Sequence, residues 1–124
     1  MIIEIDFGSE EALYLQLRNQ IILGIACSQF QEGDNLPSVR ELAEDIGINM
    51  HTVNKAYAVL KQEGYLTLDR RRGAVISVNE DKYKASVKLL EEMKMVMAQA
   101  VCKGISRKEI HQMVDQIFDA YKQS

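Results

Sequence analysis

Apolar side chains recur at helical spacing in five stretches of the 124-residue chain, and between the third and fourth stretch the pattern shortens to that of strands. Leu13, Leu17, Ile21 and Ile25 form the first stripe, and Ser9-Glu10-Glu11 ahead of it predicts a helix opened there, with acids in its first turn. Residues 1–6 read as a short extended arm. Phe30 and the polar run Gln31-Glu32-Gly33-Asp34-Asn35 break the period and predict a loop. Val39, Leu42, Ala43 and Ile46 then fall at i, i+3, i+4 and i+7. Ser38 is placed to cap this second helix, Glu41 three residues on to close a capping box, and Pro37 to stop it extending backwards. Gly47 is expected to end it, leaving a turn of about three residues before Asn49 caps a third helix. That helix carries Val53, Ala56, Tyr57 and Leu60 on its buried stripe. Ala43, Gly47 and Val53 are small enough for the two helices to pack closely.

Two short segments, 65–68 and 74–78, have strand composition, and Asp69-Arg70-Arg71-Arg72-Gly73 joins them as a basic turn. From residue 81 to about 103 there is neither Gly nor Pro, which predicts one long helix of roughly six turns. Gly104 ends it, and Ser106-Arg107-Lys108-Glu109 has the form of a second capping box. The last helix bears Ile110, Met113, Val114, Ile117, Phe118 and Tyr121 on one face, and Met93, Met97 and Val101 on the preceding helix also need cover. Two helices cannot close a core around such faces. A second copy of the chain, forming an antiparallel or crossed bundle about a two-fold axis, is the simplest completion; folding back onto the rest of the same chain is the alternative.

The elements predict a mainly α protein: an N-terminal helix-turn-helix with three helices and a two-stranded β-wing over residues 1–79, then a two-helix dimerisation region over residues 80–124. The third helix leaves Met50, His51, Thr52, Asn54 and Lys55 around its N-terminus, where side chains, free amides and the positive end of the dipole can address phosphates and base edges. Three consecutive arginines on a hairpin tip suit a narrow, negative minor groove. Most helix pairs joined by a glycine turn bind no DNA, so the basic hairpin directly after the pair is what tips the reading toward a nucleic acid.

Residues 14–76 resemble the winged-helix domain of GntR-type bacterial transcription regulators, on Leu36-Pro37-Ser38-Val39-Arg40-Glu41-Leu42-Ala43 and Asn49-Met50-His51-Thr52-Val53-Asn54-Lys55-Ala56-Tyr57, with Tyr14 and Gln16 matching the first helix. The two motifs are similar to those of the short YtrA-like branch. The resemblance implies that the arginine after Leu-Pro-Ser-Val, the start of the recognition helix and the wing contact DNA. The expected DNA-binding set is therefore Ser38, Arg40, Asn49, Met50, His51, Thr52, Asn54, Lys55, Arg70, Arg71, Arg72 and Gly73. Many relatives carry arginine where Met50 and Asn54 stand and glycine where Arg71 stands, so their operator sequences do not transfer. It further implies a homodimer joined through the C-terminal helices on a palindromic operator, most often a repressor, commonly of transporter operons.

Net charge is −3, which suits a DNA binder only once it is resolved along the chain. Residues 1–46 hold nine acids against Arg18 and Arg40, a balance of −7; residues 47–79 reverse it to +3, and residues 80–124 carry +1. The local patch governs phosphate attraction, while the acidic remainder weakens non-specific binding. Cys27 and Cys102 are far apart in apolar helical contexts and are expected to be buried small hydrophobes. His51 and His111 lie on different elements, and no HExxH, paired CxxC, GxGxxG or Gly-x-Ser-x-Gly occurs. No enzyme, metal or cofactor is expected. Relatives with a fused aminotransferase-like domain are far longer. No apolar run reaches about 18 residues, and acids stand where a secretory signal is basic, so a cytoplasmic protein without membrane partners is expected. A small effector between the C-terminal helices, or none, stays open. The competing function is a winged-helix protein-interaction or scaffold module whose basic hairpin is incidental.

Overall fold

In a computed structural model describing residues 3–122, the apolar stripes of the first three helices close on one another around Val53, Ala56 and Leu60, all fully buried. The elements in order are α1 (Leu13–Ala26), α2 (Val39–Ile46), α3 (Met50–Gln62), β1 (Leu66–Asp69), β2 (Gly73–Ile76), α4 (Lys82–Cys102) and α5 (Arg107–Lys122). The chain divides into two compact units, Met1–Asn79 and Glu80–Ser124.

In the first unit α3 packs against α1, α2 and β1. Leu17 and Ile21 from α1, Leu42 and Ala43 from α2, and Leu66 and Ile76 from the hairpin complete the core. β1 and β2 pair antiparallel with Leu66 opposite Ile76 and Asp69 opposite Gly73, so this is a three-helix unit with a two-stranded wing. Arg18 Nε bonds Glu63 Oε1 at 2.9 Å and ties α1 to the end of α3, a link invisible in the periodicity.

Local chemistry moves several boundaries. α1 begins at Leu13, not at Ser9, with no acid in its first turn and no side-chain cap. The side chains expected to open it close a turn instead: Ser9 Oγ accepts from the Glu11 amide at 3.1 Å, and Gln16 Nε2 donates to the carbonyls of Asp6 and Glu11 at 3.1 and 3.0 Å. Residues 3–6 of the expected arm form neither helix nor strand, and its first two positions lie outside the described residues. It is held by two glutamines one turn apart, Glu4 N donating to Gln20 Oε1 at 2.8 Å and Asp6 N to Gln16 Oε1 at 2.9 Å. Ile3 and Ile5 thereby reach the core.

The polar run 31–35 is not a free loop. Gly33 N donates to Ile76 O at 2.8 Å, Ile76 N to Asp34 O at 2.8 Å and Leu36 N to Ala74 O at 2.9 Å, with Asn35 bridged to Val75. The outer edge of β2 offers unpaired backbone groups, and burial of Leu36 brings this segment onto them. The strands are displaced from their expected bounds, β1 running one residue later than 65–68 and β2 covering 73–76 instead of 74–78, so that Asp69 and Gly73 join the ladder while Tyr65, Ser77 and Val78 fall outside it; Ser77 N still donates to Tyr65 O at 3.1 Å. Only half of the first capping box forms: Ser38 Oγ accepts from Glu41 N at 3.1 Å, and no return bond from the Glu41 carboxylate to the Ser38 amide occurs among the described residues. Cys27 is half-buried and Cys102 exposed, Cys27 standing at the C-cap of α1 and Cys102 in the last position of α4, so neither is the buried small hydrophobe expected.

The second unit comprises α4 and α5. Asp81 caps α4 by accepting from Lys84 N at 3.1 Å, and Ser106 caps α5 by accepting from Glu109 N at 3.1 Å. Ala100 is the one buried side chain of this unit among the described residues. The α5 stripe stands open, with Ile117 48% and Phe118 62% exposed, as are Met93 and Val101 of α4; Met97, Ile110 and Tyr121 are half-buried.

Candidate nucleic-acid interface

The site begins with the turn between α2 and α3. Gly47 adopts φ +72°, a left-handed conformation that costs glycine little, and Gly47 N and Ile48 N both donate to Ala43 O at 3.0 and 3.1 Å. Asn49 then turns the chain into α3, its Oδ1 accepting from His51 N at 2.7 Å. The turn is thus Gly47, Ile48 and Asn49, and buried Ala43 and Val53 let the helices meet closely. Tyr57 fixes the approach to α2 from behind, its hydroxyl donating to Pro37 O at 2.7 Å. Burial, and secondarily the negative charge of Glu41, holds this phenol protonated well above its ordinary titration range.

On the other side of α3, Met50, His51, Asn54 and Lys55 are exposed and Thr52 is half-buried. Lys55 does not swing freely: its Nζ sits 4.0 Å from the ring centroid of Tyr14, a cation–π contact that holds the ammonium beside the start of the helix. Leu13, Tyr14, His51, Thr52 and Lys55 line a shallow depression of about 340 Å³ there. Tyr14 is the site neighbour that helical spacing alone does not reveal, since its position on α1 reads simply as scaffold.

The wing places Arg70, Arg71 and Arg72 in the turn between β1 and β2. Asp69 Oδ1 accepts from Arg71 N at 2.7 Å and from Arg72 N at 3.1 Å, and Gly73 at φ +79° closes the three-residue connection. Those two amides, with the Arg72 guanidinium, hold the Asp69 carboxyl below the usual carboxylate range. The three arginines are not equivalent. Arg72 Nη2 donates to Gly33 O at 2.7 Å and to Asn35 Oδ1 at 3.0 Å, and Asn35 Nδ2 donates back to the Arg72 carbonyl. The guanidinium groups of Arg40, Arg70 and Arg71 are exposed and carry no hydrogen bond or ion pair among the described residues.

The twelve sequence-derived positions therefore sort by what their side chains already do. Ser38 and Asn49 cap helices, Gly73 shapes the hairpin and Arg72 is engaged with the segment ahead of α2. Arg40, Met50, His51, Asn54, Arg70 and Arg71 point to solvent, with Lys55 tethered and Thr52 partly covered. Among the described residues no cluster of three or more His, Cys, Asp or Glu could hold a metal ion, and no helix is long and apolar enough to cross a membrane.

The family model described as bacterial regulatory proteins, gntR family, matches residues 9–76. The HTH-type transcriptional repressor YtrA of Bacillus subtilis (strain 168) is 34% identical over 118 residues, 93% of this chain and 91% of that protein. A crystal structure of a transcriptional antiterminator from Listeria monocytogenes EGD-e superposes with a TM-score of 0.84 at 28% identity, over 94% of this chain and 90% of the other. The DNA-binding domain of AraR in complex with operator ORE1 aligns with a TM-score of 0.51 at 26% identity, over 61% of this chain and 95% of that one.

Proposed function

The chain belongs to the gntR family of bacterial regulatory proteins, and from that premise we propose that it is a sequence-specific DNA-binding repressor that acts as a homodimer on a palindromic operator. Residues 1–79 form the DNA-binding domain and residues 80–124 the dimerisation region. The observation that carries this reading is the pairing of an exposed polar face at the start of α3 with a wing whose Arg70 and Arg71 side chains have no partner among the described residues. α3 enters the major groove, where His51, Thr52 and Asn54 read base edges; Lys55, Arg40, Arg70 and Arg71 neutralise phosphates and fix the register. The likeness to an operator-bound AraR domain supports DNA as the ligand.

The open stripe on α5 supports the dimer. A unit with one buried side chain among its described residues lacks a core of its own, and a second copy supplies it while setting two half-sites about one axis. The protein then works by occupying a promoter in the bacterial cytoplasm, not by catalysis.

Selection of duplexes from a random-sequence pool by the full-length protein tests this directly. An enriched inverted repeat is the expected result. Recovery of no preferred sequence overturns it in favour of an interaction or scaffold module.

A further inference from the structure

Among the described residues, Arg72 is the one arginine of the wing whose side chain the protein itself engages. Its guanidinium bridges Gly33 O at 2.7 Å and Asn35 Oδ1 at 3.0 Å, while Asn35 returns a bond to the Arg72 carbonyl. The backbone repeats the connection, since Asn35 is bridged to Val75 and Leu36 N donates to Ala74 O at 2.9 Å. The residue beside the wing tip is thus fastened to the segment that leads, through Leu36 and Pro37, into the cap of α2 at Ser38. Arg72 Nη2 already serves two protein acceptors, so a phosphate meets a guanidinium whose direction is fixed by the protein and whose fork is partly used, whereas Arg70 and Arg71 are free to turn their whole fork toward the duplex.

We propose that Arg72 is a positioning residue for DNA binding and not a phosphate contact: with Asn35 it latches the wing to the segment ahead of α2, and so sets where Arg70 and Arg71 meet the duplex relative to the recognition helix. A planar guanidinium bridging two acceptors fixes direction as well as distance, which a flexible hairpin of two four-residue strands lacks. The inference rests on the DNA-binding reading above.

Salt dependence distinguishes a latch from a contact, because each neutralised phosphate contributes about 0.9 to the slope of log affinity against log salt. Full-length Arg72→Ala, Asn35→Ala and the double variant are titrated by fluorescence anisotropy against a duplex from the random-pool selection, with Arg71→Ala alongside. Both residues are exposed, so the variants keep the fold. Arg72→Ala and Asn35→Ala are each expected to weaken binding roughly five- to tenfold, the scale of one or two lost hydrogen bonds. Their salt slopes stay at the wild-type value, and the double variant binds no worse than either single one. Arg71→Ala instead flattens the slope by about 0.9. A slope flattened by Arg72→Ala, with a loss that adds to that of Asn35→Ala, overturns the latch in favour of a phosphate contact; unchanged affinity overturns it as well. Hydrogen exchange separates this failure from that of the DNA reading. Faster exchange at the Leu36 and Ile76 amides of Arg72→Ala, beside a wild type that binds no duplex, overturns the DNA role and keeps the latch, whereas unchanged exchange overturns the latch whatever the DNA result.

Discussion

Tyr57 shows how one side chain serves both the core and the recognition surface. Its ring is 3% exposed and its hydroxyl donates to Pro37 O at 2.7 Å, so the entry to α2 is fastened to the back of α3. Tyr57→Phe leaves that carbonyl without its donor and is expected to cost about 1 kcal/mol in urea unfolding. The phenol also couples stability to pH. Its folded-state pKa lies above that of the unfolded chain, through burial and then Glu41, so its contribution is complete below the unfolded value and is lost as pH rises past about 10. Unfolding curves of the wild type from neutral to alkaline pH are expected to fall beyond that point, and those of Tyr57→Phe to fall less. The sequence marked Tyr57 as a core position, but its hydroxyl's partner lies twenty residues away and no local pattern points to it.

At the scale of elements, the helix-turn-helix was legible because each of its signals is local: a cap at Ser38, a stripe on α2, a left-handed glycine, a cap at Asn49. Gly47 has no neighbour within 4 Å of an added Cβ, so space is not its constraint; the positive φ is. Gly47→Ala is expected to destabilise by about 1–2 kcal/mol, the cost of a left-handed conformation for an L side chain, read from the midpoint of denaturant unfolding. The face of α3 makes a separate prediction. His51→Ala or Thr52→Ala is expected to relax discrimination at one or two operator positions by roughly 1–3 kcal/mol with thermal stability retained, measured against single-base variants of the selected duplex. Specificity that survives both substitutions would move base readout to Asn54 or Lys55. The wing was legible only in outline. Its two strands have β composition, yet the third segment along β2 is polar, carries Gly33 and has no alternation, so its pairing depends on a free strand edge and not on its own residues.

For the whole molecule, the decisive feature is the unequal burial of the two units. The first closes a core of its own; the second leaves Met113, Val114, Ile117 and Phe118 between 38% and 62% exposed. Covering a large side chain stabilises by roughly 1.5–3 kcal/mol, so an aspartate at the centre of this stripe is expected to be severe. Sedimentation of the wild type at micromolar concentration is expected at twice the 14.1 kDa chain mass, and of Ile117→Asp or Phe118→Asp at that mass itself. The monomeric variant is expected to lose operator affinity while keeping weak, salt-sensitive binding to any duplex. A wild type that sediments as a monomer sinks the dimer, and a dimeric variant that still binds the operator moves the interface to other residues.

The sequence by itself determined the number and order of the helices, the glycine turn at Gly47, the stripes that became the core of the first unit and the family to which residues 9–76 belong. These follow from caps, periods and backbone preferences that act over a few residues. Tertiary structure alone decided that Gln16 and Gln20 draw the N-terminal arm along α1, that α1 starts at Leu13, that Tyr14 holds Lys55 and that Arg72 binds Asn35 instead of standing free beside Arg71. Each of these rests on contacts between side chains and groups on different segments, and such a hydrogen bond or cation–π contact is specified by where the backbone brings its partners, which no spacing along the chain encodes.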